Sequence, residues 1–174
     1  CIQGLGFVGF AMAVAVANAR DPKTNLPLYE VIGIDLDNEE GRKKIKAINN
    51  GEFPISCNDE NLKNAYINCL KEGNFKSSFN LKHFENANYV IVDINLDVSI
   101  NGKASSIEFT NFIKAIESIA LRIPKETLVI IETTVPPGTT EKIVLPILKD
   151  KLSEKYNFDC ISDTLAKHRQ HVKL

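Results

Sequence analysis

Apolar residues in this chain follow two periods that alternate along its length. Apolar runs at residues 89–92 and 127–131 are rich in β-branched side chains, which is typical of strands buried on both faces of a sheet. Longer segments at residues 7–19, 38–49 and 59–71 have the length and the terminal residues of helices. This alternation predicts an α/β fold, namely a Rossmann-like, doubly wound parallel sheet with helices on both faces, in three layers.

Turn and capping residues place the other predicted elements. These are strands ending at Gly4 and at residues 30–35, 75–79 and 158–161, a turn at Asn101-Gly102, a helix from Ser105 as its N-cap to about residue 121, and a helix at residues 137–154.

One domain is predicted over residues 1–162, and its first strand is clipped because few residues precede Gly4. Residues 163–174 are predicted to be a polar tail or the start of a linker. This tail follows a predicted strand without completing a further unit, so the chain is expected to be part of a longer enzyme.

A glycine-rich turn, Gly-Leu-Gly-Phe-Val-Gly, joins the first predicted strand to the first predicted helix. In a dinucleotide-binding turn, Gly4 allows the tight turn, Gly6 lets the backbone approach a pyrophosphate, and Gly9 lets the helix pack closely on the sheet. The amides of Phe7 and Val8 then face the phosphates at the positive end of the helix dipole.

Asp35 ends the second predicted strand, where an acid accepts hydrogen bonds from a ribose 2′-hydroxyl. The interval from Gly9 to Asp35 is longer than the ~20 residues usual in such units. A polar stretch at residues 20–27 accounts for the excess and is expected to be a surface insertion. Because Leu36 and Asp37 follow and no arginine is adjacent, a 2′-phosphate would meet only carboxylates, which predicts NAD rather than NADP.

Composition and charge exclude several classes of partner. The formal net charge is -1, which gives no basic surface for nucleic acid, and no apolar run approaches the ~20 residues that span a bilayer. No secretory signal is evident. The four cysteines are scattered without zinc-ligand or disulfide spacing, so no metal site is predicted and a reducing cytoplasm is expected.

A second distinctive stretch, IETTVPPGTTE, occupies residues 131–141. Thr133 and Thr134 follow a buried strand, two prolines stiffen the turn, and a predicted helix follows. Two interpretations fit this pattern. The stretch is either a strand-to-helix loop with Thr139 or Thr140 as the helix cap, or a site that holds cofactor or substrate.

Ligands of open parallel sheets bind at the carboxyl ends of the strands. The glycine turn, Asp35, residues 93–97 and residues 133–138 all follow predicted strands. These four segments are therefore expected to converge on one cleft.

In these motifs the chain resembles the UDP-glucose/GDP-mannose dehydrogenase family, in its N-terminal NAD-binding domain. The similar segments are GLGFVG at residues 4–9, GID at residues 33–35, INNGEFPI at residues 48–55 and TTVPPGTTE at residues 133–141. The resemblance is collinear from residue 1 to about residue 160.

The resemblance implies an oxidoreductase that oxidises the C6 alcohol of a UDP- or GDP-linked sugar to a carboxylate with two NAD in succession. It implies a nucleotide-sugar substrate, a place in polysaccharide biosynthesis, and a full-length enzyme that is a homo-oligomer. Thr134 is implied to be catalytic, because in that family this hydroxyl helps to position the nicotinamide and the catalytic water. The implied cofactor contacts are Gly4, Gly6, Phe7, Val8, Gly9, Asp35, Asn95, Thr133, Thr134 and a lysine on the adenosine side, which counting back from Ile48 places at Lys44.

Two departures from the family pattern stand out. Where many members read V-P-T-P after the fourth strand, this chain has Val-Asp-Ile-Asn-Leu-Asp, so Asp93 and Asn95 are either polar cofactor contacts or solvated strand-end residues. The family's catalytic cysteine, its lysine and its sugar-nucleotide domain have no counterpart in residues 1–174 and are expected to lie beyond residue 174. Cys57 and Cys69 lack the glycine-rich context of that cysteine, and the chain alone is expected to be inactive.

Two other functions fit part of the sequence. A regulatory Rossmann module that senses a nucleotide without chemistry has the same glycine turn and a similar length. A β-hydroxyacid-type dehydrogenase shares the turn as well. Neither has a need for the stretch at residues 133–141, which favours the nucleotide-sugar dehydrogenase.

Overall fold

The computed structural model of the protein describes residues 1–101 and 104–156. They form two compact units, the first made of residues 1–95 and 126–133, and the second of residues 96–125 and those from 134 onward. In chain order the strands are β1 (Ile2–Gln3), β2 (Val31–Ile34), β3 (Phe75–Ser78), β4 (Tyr89–Val92), β5 (Asp97–Asn101), β6 (Ala104–Glu108) and β7 (Leu128–Ile131). The helices are α1 (Phe7–Ala17), α2 (Glu39–Asn49), α3 (Glu60–Glu72), α4 (Thr110–Ala120) and α5 (Leu145–Tyr156), with a 3₁₀ helix at Leu81–Asn86 and a π-helical turn at Thr140–Val144.

A five-stranded sheet in the order β3-β2-β1-β4-β7 forms the centre of the first unit. All four strand pairs are parallel, which confirms the predicted Rossmann-like sheet flanked by helices. The chain moves outward from β1 first through β2 and β3 and then, on the other side, through β4 and β7. The order therefore reverses between β1 and β4, and such a reversal is where open α/β sheets bind their ligands.

Helix α1 is apolar along its whole length because it packs against the sheet and against α3. Its Phe10 is fully buried, with ring centroids of Phe53 and Tyr66 at 5.2 and 5.3 Å in edge-on geometry. The Tyr66 hydroxyl donates to the Ile48 carbonyl at 2.8 Å, and this bond links α3 to the end of α2. The segment after α2 thus belongs to the core of the first unit.

The predicted boundaries of α2 and α3 are confirmed by their caps, whereas α1 ends at Ala17, two residues before its predicted end. The side chain of Asn38 accepts from the Gly41 amide at the start of α2, and that of Asp59 accepts from the Asn61 and Leu62 amides at the start of α3. Gly73 ends α3 in the left-handed conformation at φ 69°. Short polar side chains at these positions satisfy amides that have no partner inside the helix.

The second unit contains an antiparallel hairpin that the sequence pattern does not predict. Ser105 was expected to cap a helix, but it lies within β6, which pairs with β5, and α4 begins only at Thr110. The helical spacing of buried residues starts there, since the buried positions of α4 are Phe112, Ile116, Ile119 and Ala120. Gly102 of the predicted turn, the predicted strand at 158–161 and the predicted tail at 163–174 lie outside the described residues.

The predicted helix at 137–154 is present with shifted bounds, as the π-helical turn followed by α5. No helix in the described ranges is both long enough and apolar enough to cross a membrane.

A buried amide in the central strand leads to a stability prediction. Gln3 is 4% exposed, and its Oε1 has no hydrogen-bond partner among the described residues. A buried acceptor without a partner costs free energy, so Gln3→Met, which keeps the length of the side chain, is expected to raise the free energy of unfolding by about 1 kcal/mol. Urea denaturation followed by circular dichroism measures this change.

The matched control is Ser77→Ala in β3. The Ser77 side chain is also buried, but its hydroxyl is hydrogen-bonded to Asn49 Oδ1 at 3.0 Å. This variant is expected to lose about 1 kcal/mol. An equal loss in both variants would show that Gln3 Oε1 is satisfied in solution.

Candidate cofactor-binding site

Close backbone packing shapes the turn after β1. Gly4 has φ 97°, and a Cβ atom built on it would lie 2.0 Å from the carbonyl oxygen of Asp93. A Cβ on Gly9 would lie 2.0 Å from the carbonyl oxygen of Gly4. Both positions therefore require glycine, and together they hold the first turn of α1 against the ends of β1 and β4.

Gly6 is different, because it faces open space. A Cβ on Gly6 would meet no atom within 4 Å. The helix that follows has no side-chain cap and no acidic residue in its first turn, while Phe7 and Val8 are more than half exposed. The first amides of α1 are thus available to a ligand, and the dipole of the helix favours an anion such as a pyrophosphate.

Asp35 lies directly beside the glycine turn. Its Oδ2 accepts from the Leu5 amide at 3.2 Å and its Oδ1 from the Leu36 amide at 2.7 Å. The side chain is 10% exposed. Two backbone donors, from the segments that follow β1 and β2, therefore orient the carboxylate at the carboxyl edge of the sheet, where it can accept from a ribose hydroxyl.

Lys44 of α2 joins Asp35 in an ion pair that the sequence did not reveal. Its Nζ lies 3.5 Å from Asp35 Oδ2 and 3.1 Å from Glu40 Oε1. Burial acts to lower the pKa of Lys44, but the hydrogen bond to Glu40 and the charges of Asp35 and Glu40 outweigh it, and the pKa is raised. The lysine stays charged at neutral pH and partly neutralises the Asp35 carboxylate.

Asp93 follows β4 and contacts the glycine turn from the other side. Its amide donates to the Gln3 carbonyl at 2.8 Å, and its Oδ2 lies 3.0 Å from the Cβ position of Gly9. Burial, and after it the charge of Glu132, raises the pKa of Asp93. Glu132 could have been found from the sequence, because it is the first residue after β7 just as Asp93 is after β4, and the two strands pair with Val92 opposite Ile131.

The two threonines predicted at the end of β7 differ in their surroundings. Thr133 is buried, and its hydroxyl accepts from the Ile94 amide at 3.0 Å and donates to the Val92 carbonyl at 3.2 Å. That hydroxyl joins the ends of β4 and β7. Thr134 is exposed and belongs to the second unit. Asn95, the last residue of the first of the two segments that make up the first unit, is exposed as well.

Within the second unit, the turn after Thr134 is fixed by its backbone. Gly138 has φ 85°, and the Thr139 amide donates to the Pro136 carbonyl at 3.1 Å. Thr139 precedes the π-helical turn but makes no side-chain cap hydrogen bond. The capping function considered for Thr139 is therefore not what fixes this turn.

The first unit thus brings together the glycine turn, Asp35, Lys44, Asp93 and Thr133. The features of a dinucleotide site are present on this chain: an open approach at Gly6, an uncapped helix start and an oriented acid at the next strand.

Comparison with known proteins decides the family. Residues 1–163 match the sequence profile of the UDP-glucose/GDP-mannose dehydrogenase family, NAD binding domain. The chain belongs to this family. The profile is that of the NAD-binding domain, which confirms NAD as the cofactor expected from the sequence.

Two curated relatives illustrate the similarity. The UDP-N-acetyl-D-mannosamine dehydrogenase of Methanocaldococcus jannaschii is 30% identical over 151 residues, which are 87% of this chain and 31% of that protein. The UDP-N-acetyl-D-glucosamine 6-dehydrogenase of Salmonella typhi is 26% identical over 160 residues, or 91% of this chain and 32% of that protein. The chain therefore spans about a third of the length of these dehydrogenases.

A solved structure shows the same fold. The crystal structure of an NDP-N-acetyl-D-galactosaminuronic acid dehydrogenase from Methanosarcina mazei Go1 matches with a TM-score of 0.75 at 26% identity. The match covers 86% of this chain and 30% of the other.

Proposed function

We propose that this chain is the NAD-binding part of a dehydrogenase that oxidises the C6 alcohol of a nucleotide-linked sugar to the carboxylate, using two NAD in succession. The family match supports the reaction class. The names of the two curated relatives favour a UDP-linked N-acetylhexosamine as the substrate.

The residues of the first unit have distinct functions in this proposal. The first amides of α1 bind the pyrophosphate, and the absence of a side chain at Gly6 lets it approach the backbone. Asp35 accepts hydrogen bonds from the adenosine ribose, with Lys44 balancing its charge. The exposed side chains of Phe7 and Val8 provide apolar contact surface beside the phosphates.

Bound NAD supplies the hydride acceptor for the alcohol. We assign the catalytic function on this chain to Thr134, whose hydroxyl would help to position the nicotinamide and the catalytic water. Thr133 keeps the adjoining strand ends together through its two backbone hydrogen bonds. A cytoplasmic location and a homo-oligomeric full-length enzyme stay predictions.

The observation that carries this proposal is the oriented Asp35 carboxylate next to an uncapped helix start. It predicts binding of NAD⁺ and NADH to the isolated chain, with NADP⁺ at least ~10-fold weaker, which corresponds to about 1.4 kcal/mol. Isothermal titration calorimetry on chain shown to be folded by circular dichroism measures all three ligands. Equal affinity for NADP⁺ would contradict the assignment of Asp35, and no binding of either nucleotide would contradict the proposed function.

A further inference from the structure

The carboxylate of Asp93 lies at the point where the glycine turn and α1 come closest to β4. Its own backbone is held by the bond from its amide to the Gln3 carbonyl and by the contact of its carbonyl oxygen with Gly4. Its Oδ2 is 3.0 Å from the Cβ position of Gly9, in the first turn of α1. An acid therefore lies against the helix turn whose amides face the proposed pyrophosphate site.

Among the described residues, no positively charged neighbour balances the negative charge of Asp93. Helix α1 has no ionisable side chain from Phe7 to Ala17, and β7 contributes Glu132, whose charge is of the same sign. Beyond β1, Asp35 is engaged by Lys44. Among the described residues no cation forms an ion pair with Asp93, and burial together with Glu132 raises the pKa of Asp93 above that of an ordinary aspartate.

We propose that Asp93 sets the affinity of this site for the dinucleotide, because its carboxylate competes with the pyrophosphate for the first turn of α1 and takes up a proton when the dinucleotide binds. This inference rests on the proposed NAD site and adds to it a residue at which the chain departs from its family. The pyrophosphate brings two negative charges to the turn, and like charges favour the protonated form of a carboxyl group.

The pH dependence has a definite sign. When Asp93 is protonated, it no longer repels the phosphates, and its neutral carboxyl group leaves the positive end of α1 to the ligand. Affinity is therefore expected to be highest at low pH and to fall as the pH rises through the titration of Asp93. Glu132 sets the position of that fall, since removing its charge lowers the pKa of Asp93 and shifts the fall to lower pH.

Titration of the chain with NADH at pH values from just above the ordinary aspartate pKa of about 3.9 up to about pH 8 tests the proposal. Asp93→Asn is expected to bind NADH about 3- to 10-fold more tightly than wild type at neutral pH and to lose the pH dependence. Glu132→Gln is expected to keep the dependence with its midpoint at lower pH. Glu85→Gln, which removes an exposed acid from the 3₁₀ helix that precedes β4, is the control for net charge and should match wild type.

Calorimetry in buffers of different ionisation enthalpy adds a direct measure, because wild type should take up a proton on binding and Asp93→Asn should not. If wild type binds NADH but Asp93→Asn has the same affinity and the same pH profile, the inference is overturned and the NAD site stands. If Asp93→Asn does not fold, an unshifted midpoint in Glu132→Gln overturns it instead. If wild type binds no NADH at any pH, the proposed function and this inference both fail.

Discussion

Gly9→Ala is expected to destabilise the first unit by about 2–4 kcal/mol, because the new methyl group would overlap a backbone atom that cannot move aside. The Cβ position of Gly9 is 2.0 Å from the carbonyl oxygen of Gly4, and Gly4 is itself held by its amide, which donates to the Ile34 carbonyl at 2.8 Å. Relief requires α1 to shift away from β1. Urea denaturation measures the loss, and NADH binding should fall with it because the first amides of α1 move.

Gly6→Ala is the matched variant, and it is expected to lose NADH affinity with little loss of stability. Gly6 has φ -69°, which alanine adopts readily, and its Cβ would meet no atom within 4 Å. Its stability is expected to fall by only about 0.5–1 kcal/mol, since alanine is a poorer N-cap residue than glycine but meets no steric clash here. NADH affinity should nevertheless fall at least ~10-fold, because the methyl group occupies the approach of the pyrophosphate.

The comparison separates a packing function from a ligand function within one turn. If Gly9→Ala is as stable as wild type, the close contact between α1 and Gly4 is absent in solution. If Gly6→Ala binds NADH like wild type, the pyrophosphate does not pass over Gly6.

Sequence pattern was sufficient for the parallel sheet, because β2, β4 and β7 are short apolar runs and helices α2 and α3 begin at residues that cap. Asn38 and Asp59 illustrate this, since each was identified by residue type and each makes the expected cap hydrogen bonds. The hairpin of β5 and β6 could not be predicted in this way. It depends on pairing between two segments that carry no strong apolar run. A serine such as Ser105 can either cap a helix or lie in a strand, so its residue type does not distinguish the two structures.

In the candidate site, sequence spacing predicted which residues lie at strand ends but not what their side chains contact. Asp35 was predicted at the end of β2, whereas its ion pair with Lys44 depends on the position of α2 over that edge. The Thr133 hydroxyl looked available to a ligand, but the register between β4 and β7 places it within reach of the Ile94 amide and the Val92 carbonyl. Contacts of this kind follow from tertiary packing, which one sequence does not specify residue by residue.

Asp35→Ala is expected to lower NADH affinity by about 10- to 100-fold, since hydrogen bonds to a charged group contribute about 1.5–3 kcal/mol. The loss has two sources. The ribose loses its acceptor, and the Leu5 and Leu36 amides lose the carboxylate that joins the glycine turn to the end of β2. Asp35→Asn separates them, because its amide oxygen still accepts from one backbone donor, so it should recover part of the affinity.

Cofactor preference gives the sharper readout for the same residue. In Asp35→Ala, Lys44 loses this carboxylate as a partner and keeps Glu40. A positive charge then lies beside the position of a 2′-phosphate, and the carboxylate that repels this phosphate is gone. The only arginine of α2, Arg42, is bound to Asp37 and does not change. NADPH should therefore lose less affinity than NADH, and the ratio of their dissociation constants should narrow by about 10-fold or more.

Glu39→Gln, which removes an exposed acid paired with Lys43, is the control and should leave both affinities within about twofold of wild type. An unchanged NADH-to-NADPH ratio in Asp35→Ala would remove this carboxylate from the ribose site and, with it, the structural reason for choosing NAD.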